Sequence, residues 1–379
     1  MAAPKSVSNW IPAVECVEFT GFDHDVIDRL VRAAYANPED VHFYGAIAAL
    51  VVAHMTVTDK QGVIIMRLWF SEKVCTSSFS TRMNSFLDRC FAVNLSQWDR
   101  IKTYQHILFP HIGAIVDGTP IFVRGPSASY SGKAKAKVLV MQLFVNVAGQ
   151  PIWYMGPSVG AQHDAKSFVP VANPPPHATP RAPKHHEDDI IAGDLAYIAN
   201  SHVYCQYKKP PLGALTPPQT HHNEWFVTLR STVERFNAYL DRHRLMHYCV
   251  RHWPTICKLF RVLWNSECIL FYRDEKTLVD TNLIRFHTDA NGYVFLRNRG
   301  PVCQCGFATH PNKTNPLQLK QLRDQLCTML QAVPPPEKKK SKKRAKGDPA
   351  PPVAPPPEGA HPPDEEDNEE MEEEEPEQE

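Results

Sequence analysis

The sequence lacks the features that mark secreted, membrane-spanning or disulfide-bonded proteins. Its ten cysteines include no Cys-x-x-Cys pair, which argues against a disulfide framework or a common zinc framework. Met1 to Trp10 lack the apolar stretch of a secretory signal. The most apolar run, residues 43–53, is shorter than the roughly 20 residues that span a bilayer. We therefore expect a soluble protein in a reducing compartment.

The formal net charge of zero conceals an uneven distribution of charge. Residues 334–379 hold 7 basic and 15 acidic side chains, so residues 1–333 carry 34 basic and 26 acidic side chains. A basic folded region suits a polyanionic partner such as nucleic acid, because neutralising phosphates supplies much of the binding free energy. Many enzymes are mildly basic as well, so the charge alone does not identify the partner.

The last 46 residues, 334–379, have the composition of a disordered tail. They contain the basic run Lys338–Lys346, a Pro-rich linker, and an end in which 12 of the 16 residues from Asp364 to Glu379 are acidic. So few apolar side chains cannot offset the conformational entropy of folding. The basic run indicates nuclear localisation or a non-specific nucleic-acid contact, with a solvated charged linker as the alternative.

Residues 1–105 are predicted to form a small helical domain. Apolar residues recur at helical spacing over 26–35 and 42–56, and more loosely over 79–91, whereas residues 58–62 have the composition of a turn. A helix-turn-helix between residues 64 and 91 would make this a DNA-binding domain, although no specific signature supports one. A plain support domain is the alternative.

Residues 106–275 change in character and predict an α/β domain with a mixed sheet. Strands are expected over 112–116, 121–123, 138–147, 151–155 and 190–194, with Pro-rich loops at 173–183 and 208–220. An amphipathic helix is expected over 224–243, with Phe226, Leu229, Val233 and Phe236 on its apolar side. Residues 276–333 are left as a C-terminal extension of unknown role.

Two of the predicted strand segments end in an acid, and the long helix carries a third. Asp117 and Asp194 stand at these ends, and Glu234 lies on the helix. Acids at strand ends can converge on a cleft at the sheet edge, and such hard oxygen ligands suit Mg²⁺ or Mn²⁺. Each acid alone has an ordinary explanation, as a turn or helix cap for an Asp or a solvent-facing Glu.

The span from about Gly113 to Lys258 resembles the catalytic domain of DDE transposases of the IS5 and PIF/Harbinger group. The matching blocks come in the family's order: Val116-Asp117-Gly118-Thr119, Tyr130-Ser131-Gly132-Lys133, Gly160-Ala161-Gln162-His163-Asp164, Gly193-Asp194-Leu195-Ala196-Tyr197, and Asn223 with Arg230 and Val233-Glu234-Arg235-Phe236. The last block keeps the family's spacing of an Asn, an Arg seven residues later and a Glu four residues after that.

This resemblance implies an RNase H-like fold in which Asp117, Asp194 and Glu234 are the catalytic residues and the ligands of two divalent ions, Mg²⁺ or Mn²⁺. Such ions activate the attacking water or 3′-hydroxyl and stabilise the leaving oxygen. Arg230 would orient the Glu234 carboxylate or contact a phosphate, with a surface ion pair as the alternative. His163 and Asp164 match a family motif as supporting residues, although Asp164 could equally cap a helix.

The lysines before the second long strand are the expected DNA contacts. If residues 133–137 are extended, Lys133, Lys135 and Lys137 point to one side and form a basic row, which could otherwise be a solubilising strand face.

The activity implied by the resemblance is cleavage, and in transposases joining, of phosphodiester bonds in double-stranded DNA within the nucleus. A separate DNA-binding partner protein and a homo-oligomer are both compatible with it. The alternative from another functional class is a domesticated, transposase-derived DNA-binding or scaffold protein without catalysis.

Two further enzyme classes do not fit the residues. A haloacid-dehalogenase-like phosphatase needs an acid two residues after Asp117 and another at position 198, where Thr119 and Ile198 stand. A P-loop needs four residues between its glycines and a Ser or Thr after its Lys, but six residues separate Gly125 from Gly132, and Ala134 follows Lys133.

Overall fold

The fold comes from a computed structural model of the 379-residue chain. It describes residues 6–35, 37, 42–55, 58–70, 75–102, 104–106, 108–109, 112–124, 129–162, 190–198, 203–247, 252–276, 278, 295–297 and 316–331. The described residues lie within one compact unit, residues 1–337. The predicted basic run and acidic end, within residues 338–379, lie outside the described residues.

Helices enclose a central group of strands. The helices are α1 (Ala13–Thr20), α2 (His24–Ala34), α3 (Phe43–Met55), α4 (Asp59–Trp69), α5 (Thr76–Ala92), α6 (Pro217–Leu240), α7 (Trp253–Arg273) and α8 (Pro316–Leu330). The strands are β1 (Tyr104–His106), β2 (Ile112–Phe122), β3 (Tyr130–Ser131), β4 (Ala136–Asn146), β5 (Pro151–Val159), β6 (Ile190–Ala192), β7 (Val203–Tyr204) and β8 (Phe295–Arg297).

The N-terminal region is helical, as predicted, but the expected turn at residues 58–62 is wrong. Thr58 is the N-cap of α4, and its side chain accepts a hydrogen bond from the Gln61 amide in a capping box. Gly62 lies inside this helix, where the Phe79 ring packs against it. A side chain at this position would clash, because a Cβ would lie 2.5 Å from the Phe79 ring. The glycine therefore allows α4 and α5 to approach closely.

The main sheet is mixed, as the sequence predicts. Its strand order is β3-β4-β2-β6-β7, and β5 also pairs with β4. The pairs that involve β4 are antiparallel, whereas β2–β6 and β6–β7 are parallel. An open mixed sheet flanked by helices and preceded by a helical region agrees with the expected RNase H-like fold.

Strand β2 does not end at Asp117, which corrects the expectation of a strand end there. Its pairing with β4 continues to Phe122 and Val138, whereas its pairing with β6 stops at Ile115 and Ala192. Beyond that point no described strand pairs with the β6 side of β2. Pro120 is tolerated there because a proline, which lacks an amide hydrogen, suits a strand with one free side. Asp117 therefore lies in mid-strand, beside the point where the neighbouring strand ends.

Helix α6 begins seven residues earlier than predicted, within the segment that was expected to be a loop. Thr216 and Gln219 form a capping box, and prolines occupy the first helical turn. Proline is favoured there because the first turn leaves its amide hydrogens unpaired anyway. The expected apolar residues Phe226, Leu229, Val233 and Phe236 are all buried.

The N-terminal helices share a hydrophobic core with the sheet and with α7. Helix α7 packs against α2, α3 and α5 on the N-terminal side and against β5. Its buried residues lie all around the helix, so it forms the centre of this core. Within the part of the chain that the structure describes, no helix has the length and apolarity needed to cross a membrane. The predicted domain boundaries at 105 and 275 remain predictions.

Candidate active site

Asp117 occupies a largely buried position on the face of β2 that meets α6. The Asn237 side-chain amide on α6 donates a hydrogen bond of 3.0 Å to Asp117 Oδ2. Burial, opposed by the Arg230 guanidinium and assisted by the nearby charge of Asp194, raises the pKa of Asp117. The resulting pKa is about 6. The Gly118 amide and Lys133 act in the lowering direction. Asp117 is thus a desolvated carboxyl group between a second carboxylate and two cationic side chains.

Asp194 follows β6 at the edge of the sheet, as predicted, and caps a short 3-10 helix, Leu195–Tyr197. One of its carboxylate oxygens accepts a hydrogen bond of 2.8 Å from the Ala196 amide. Gly193 precedes it because Val203 and Tyr197 leave no space for a side chain: a Cβ would lie 2.7 Å from Val203. This tight turn fixes Asp194 beside β2.

A buried hydrogen bond joins the Asp194 turn to the strand that neighbours Asp117. The Tyr197 hydroxyl donates to the side-chain oxygen of Gln142 on β4. Gln142 lies opposite Gly118 in the β2–β4 register, directly beyond Asp117 in the chain. The bond therefore links the turn that carries Asp194 to β4, the strand paired with the Asp117 segment of β2.

Three polar residues of α6 share the helix face that meets Asp117. Arg230, Glu234 and Asn237 are separated by four and three residues, which places them along one side of an α-helix. The first and last of them act on Asp117, through charge and through a hydrogen bond respectively. Glu234 lies between them on the same face.

The Glu234 carboxylate is paired with Arg230, four residues earlier. The Glu234 side chain is 46% exposed and the Arg230 side chain 20%. Among the described residues no three His, Cys, Asp or Glu side chains are grouped so that they could hold a metal ion. The structure thus places the charge of Asp194 within reach of Asp117 and holds Glu234 in an ion pair with Arg230.

The donor chemistry of this site fits a hard divalent cation. Its acids offer carboxylate oxygens, which Mg²⁺ and Mn²⁺ prefer. The raised pKa of Asp117 reflects burial and a neighbouring carboxylate, and a bound cation would relieve both effects. Asn237 Oδ1 is a further buried oxygen, and no donor in the described residues reaches it.

Asn223, the first residue of the matching helix block, has a structural role away from the acids. Its side-chain amide donates to the Tyr207 carbonyl at 2.9 Å, and its side-chain oxygen accepts from the Tyr207 amide at 2.8 Å. This two-bond clamp attaches the segment after β7 to the N-terminal part of α6, two turns before Arg230 and away from the part of the helix that meets Asp117.

The expected basic row at residues 133–137 is corrected. Residues 132–135 form the turn between β3 and β4, and Lys135 adopts a left-handed conformation with φ 52°. An extended row is impossible there because the chain reverses between Ser131 and Ala136, which pair with each other. Lys133, Lys135 and Lys137 are nevertheless all exposed, and the charge of Lys133 reaches Asp117.

Two predicted supporting residues, His163 and Asp164, lie outside the described residues. The sequence reading also missed three residues that contact or connect the acids: Asn237, Tyr197 and Gln142. Helical periodicity could have found Asn237, which follows Arg230 by seven residues and Glu234 by three. No sequence signal pairs Tyr197 with Gln142, 55 residues apart.

Part of the chain that contains these residues is similar to a known protein family. Residues 116–264 match the model of the DDE superfamily endonuclease family. This segment begins one residue before Asp117 and includes Asp194, Glu234 and Asn237. No curated protein and no solved structure matched the chain. The family match supports a DDE transposase or nuclease domain over residues 116–264, which is less than half of the chain.

Proposed function

We propose that the protein is a divalent-metal-dependent DNA endonuclease of the DDE transposase type, which cuts DNA phosphodiester bonds and joins DNA ends. Asp117, Asp194 and Glu234 are the proposed catalytic residues and the proposed ligands of two Mg²⁺ or Mn²⁺ ions. When bound, the ions would supply activation of the attacking water or 3′-hydroxyl and stabilisation of the leaving oxygen.

The observation that carries this proposal is that the charge of Asp194 acts on the desolvated carboxyl group of Asp117, within the segment that matches the endonuclease family. A carboxyl group whose pKa is raised by burial and by a neighbouring negative charge is unfavourable in its ionised form without a cation. Two apolar or neutral side chains at positions 117 and 194 would stabilise the folded state better than two acids. The presence of two acids there therefore indicates a functional site.

Arg230 and Glu234 are proposed to change partners when the site is loaded. In the ion pair, Arg230 holds Glu234 on the α6 face that meets Asp117. A half-exposed ion pair of this kind contributes little to stability, so its rearrangement costs little. Release of Glu234 towards Asp117 and Asp194 would complete the ligand set and leave the Arg230 guanidinium for a DNA phosphate.

The proposed DNA contacts are the exposed lysines of the β3–β4 turn. Lys133, whose charge reaches Asp117, and Lys135 lie in the turn, and Lys137 lies on the adjoining strand. These side chains would position the phosphate backbone without reading sequence. Double-stranded DNA is the proposed substrate and the nucleus the proposed location. A separate DNA-binding partner protein and self-association are further proposals.

Cleavage of supercoiled plasmid tests the proposal. The purified full-length protein is incubated with plasmid in Mg²⁺, Mn²⁺ or EDTA, beside Asp194→Asn and Glu234→Gln. We expect metal-dependent nicking by the natural protein, reduced at least a hundredfold in each variant. Asn223→Ala is the matched control, since it alters the same helix away from the acids. Nicking that survives in Asp194→Asn, or that is equal in EDTA, would reject the site.

One observation favours the second candidate, a transposase-derived DNA-binding or scaffold protein without catalysis. In the described residues Glu234 is engaged with Arg230, and no three-ligand group is assembled. On this reading Asp194→Asn and the natural protein bind DNA equally, and neither nicks plasmid in any metal. The same assay with a DNA-binding measurement therefore separates the two functions.

A further inference from the structure

Asn237 is the side chain of α6 that contacts Asp117 directly. Its Nδ2 lies 3.0 Å from Asp117 Oδ2. An ionised carboxylate only accepts hydrogen bonds, so the amide nitrogen must face Asp117, and this fixes the orientation of the Asn237 amide. One oxygen of Asp117 is thereby held, and its rotation about the side-chain bond is restricted.

The same orientation leaves the amide oxygen of Asn237 without a donor. Asn237 Oδ1 is buried, and within the described ranges no hydrogen-bond donor reaches it. A buried acceptor that lacks a partner costs roughly 1–3 kcal/mol, so its presence beside an acidic site calls for an explanation. A hydrated cation or its bound water supplies the positive charge or the hydrogen that the oxygen lacks.

We propose that Asn237 is a positioning residue of the metal site: it holds the Asp117 carboxylate through Nδ2 and offers Oδ1 to the hydrated cation. This inference rests on the proposed function and adds to it a residue outside the three acids. Neighbours that hold a metal-binding side chain in place affect metal affinity strongly, because they set the orientation of the ligand before the ion arrives.

Asn237 and Glu234 differ in whether their polar atoms already have partners in the described structure. Glu234 is 46% exposed and has an ion-pair partner, so it needs no ligand in order to be satisfied. Asn237 has one end satisfied by Asp117 and the other end unsatisfied. The two residues are one helical turn apart, so an ion placed by Asn237 and Asp117 would lie within reach of Glu234 as well.

The test measures Mn²⁺ affinity of the full-length protein by electron paramagnetic resonance of free Mn²⁺, together with the melting temperature of each variant. We expect Asn237→Ala to weaken Mn²⁺ binding by about tenfold or more. Alanine favours a helix, so the variant should fold. Asn237→Gln keeps the amide and should recover part of the affinity. Asn223→Ala should lower the melting temperature but leave Mn²⁺ affinity within twofold of the natural protein.

The outcomes separate this inference from the proposed function. Asp117→Asn should abolish the Mn²⁺ binding that Asn237→Ala weakens. If Asp117→Asn abolishes binding and Asn237→Ala leaves it unchanged within twofold, the role of Asn237 is rejected and the proposed site stands. If the natural protein binds no Mn²⁺, or Asp117→Asn has no effect, the proposed site fails and this inference fails with it. Equal weakening in Asn237→Ala and Asn223→Ala would reduce Asn237 to a structural residue.

Discussion

At the scale of single residues, the site is built around a carboxyl group held in unfavourable surroundings. Asp117 is desolvated on β2 and lies near the charge of Asp194, so its pKa rises to about 6. A raised folded-state pKa means that folding favours the protonated form. The contribution of Asp117 to the stability of the metal-free protein therefore falls as the pH rises from about 4 through 6, and it stays low at higher pH.

Asp117→Asn should relieve this penalty. At pH 7.5 without metal, we expect the variant to be more stable than the natural protein by about 1–3 kcal/mol, since each unit of pKa shift corresponds to roughly 1.4 kcal/mol. The amide oxygen of the new Asn can still accept from Asn237. Below about pH 4 the two proteins should have similar free energies of unfolding. Denaturant unfolding at both pH values checks this, and a variant less stable at pH 7.5 would contradict the assigned cause.

The residue types of the site could be predicted from the sequence, but their partners could not. Asp194 stands beyond its strand and Glu234 on its helix, as the motif blocks suggested. The contact of Asn237 with Asp117 joins positions 120 residues apart, and it depends on how α6 crosses the sheet. Local sequence carries no record of that crossing. The exception is the ion pair of Glu234 with Arg230, which their four-residue spacing offers as one alternative and which the structure contains.

At the scale of secondary-structure elements, the turn after β6 is expected to depend on Tyr197. Tyr197→Phe removes the hydroxyl that bonds to Gln142, which should lower the unfolding free energy by about 1 kcal/mol. It should also weaken Mn²⁺ binding by about tenfold, because the Asp194 turn loses its attachment to β4.

Tyr204→Phe is the matched control for Tyr197→Phe. Tyr204 is equally buried on the adjacent strand β7, and its hydroxyl lies 2.7 Å from His222 Nε2. The control should lose similar stability without a change in Mn²⁺ affinity. If both variants bind Mn²⁺ as the natural protein does, the Tyr197–Gln142 bond stabilises the fold but does not position Asp194.

The joint between α3, the end of α6 and α7 should be sensitive to acid. His54 on α3 and His243 after α6 are joined through Nδ1 atoms 3.0 Å apart, and the other ring nitrogen of His243 lies 3.0 Å from Glu267 Oε1 on α7. Burial lowers the pKa of His54 to about 4, assisted by His243, Arg242 and Arg244, and burial also lowers the pKa of His243.

Because both folded-state pKa values are lowered, the neutral rings are compatible with the fold and their protonation is not. Stability from this joint is present above about pH 6.5 and is lost as the pH falls towards 4. We expect His54→Gln to reduce this acid sensitivity by about 1–3 kcal/mol between pH 7 and pH 4.5. Unfolding curves across that range provide the measurement, and an unchanged pH slope in the variant would contradict the expectation.

Element boundaries were predicted less well than element types, for physical reasons. The first turn of α6 contains prolines that the sequence reading assigned to a loop, yet proline is compatible with a helix start. Gly62 suggested a turn, but its small size serves the contact with Phe79. Residues 132–135 form a turn and not the expected extended segment, because β3 and β4 form an antiparallel pair on either side of them. In each case packing decided what local composition left open.

At the scale of the whole molecule, charge is unevenly distributed along the chain: residues 1–337 have an excess of basic side chains, and residues 364–379 are mostly acidic. Residues 1–337 carry 34 basic and 27 acidic side chains, and the chain as a whole is neutral. Acidic residues repel DNA and lower its local concentration near the protein. Deleting residues 364–379 should therefore raise the affinity for DNA and leave residues 338–346 in place.

A fluorescence-anisotropy titration over a range of salt concentrations measures this effect. We expect at least a fivefold gain in DNA affinity at low salt, which shrinks as salt screens the charges. A matched variant in which the acidic residues of 364–379 become Gln or Asn controls for length. If truncation and neutralisation both leave affinity unchanged, the acidic end has no electrostatic effect on DNA binding.

Asp117, Asp194 and Glu234 are proposed to form one cation site for cutting DNA. Anomalous diffraction from crystals grown with Mn²⁺ and a short DNA duplex is the most direct test of this site. We expect Mn²⁺ peaks between Asp117 and Asp194, with Glu234 turned from Arg230 towards the ions. Absence of Mn²⁺ between these two acids at saturating concentration, with Glu234 still paired to Arg230 beside bound DNA, would contradict this proposal.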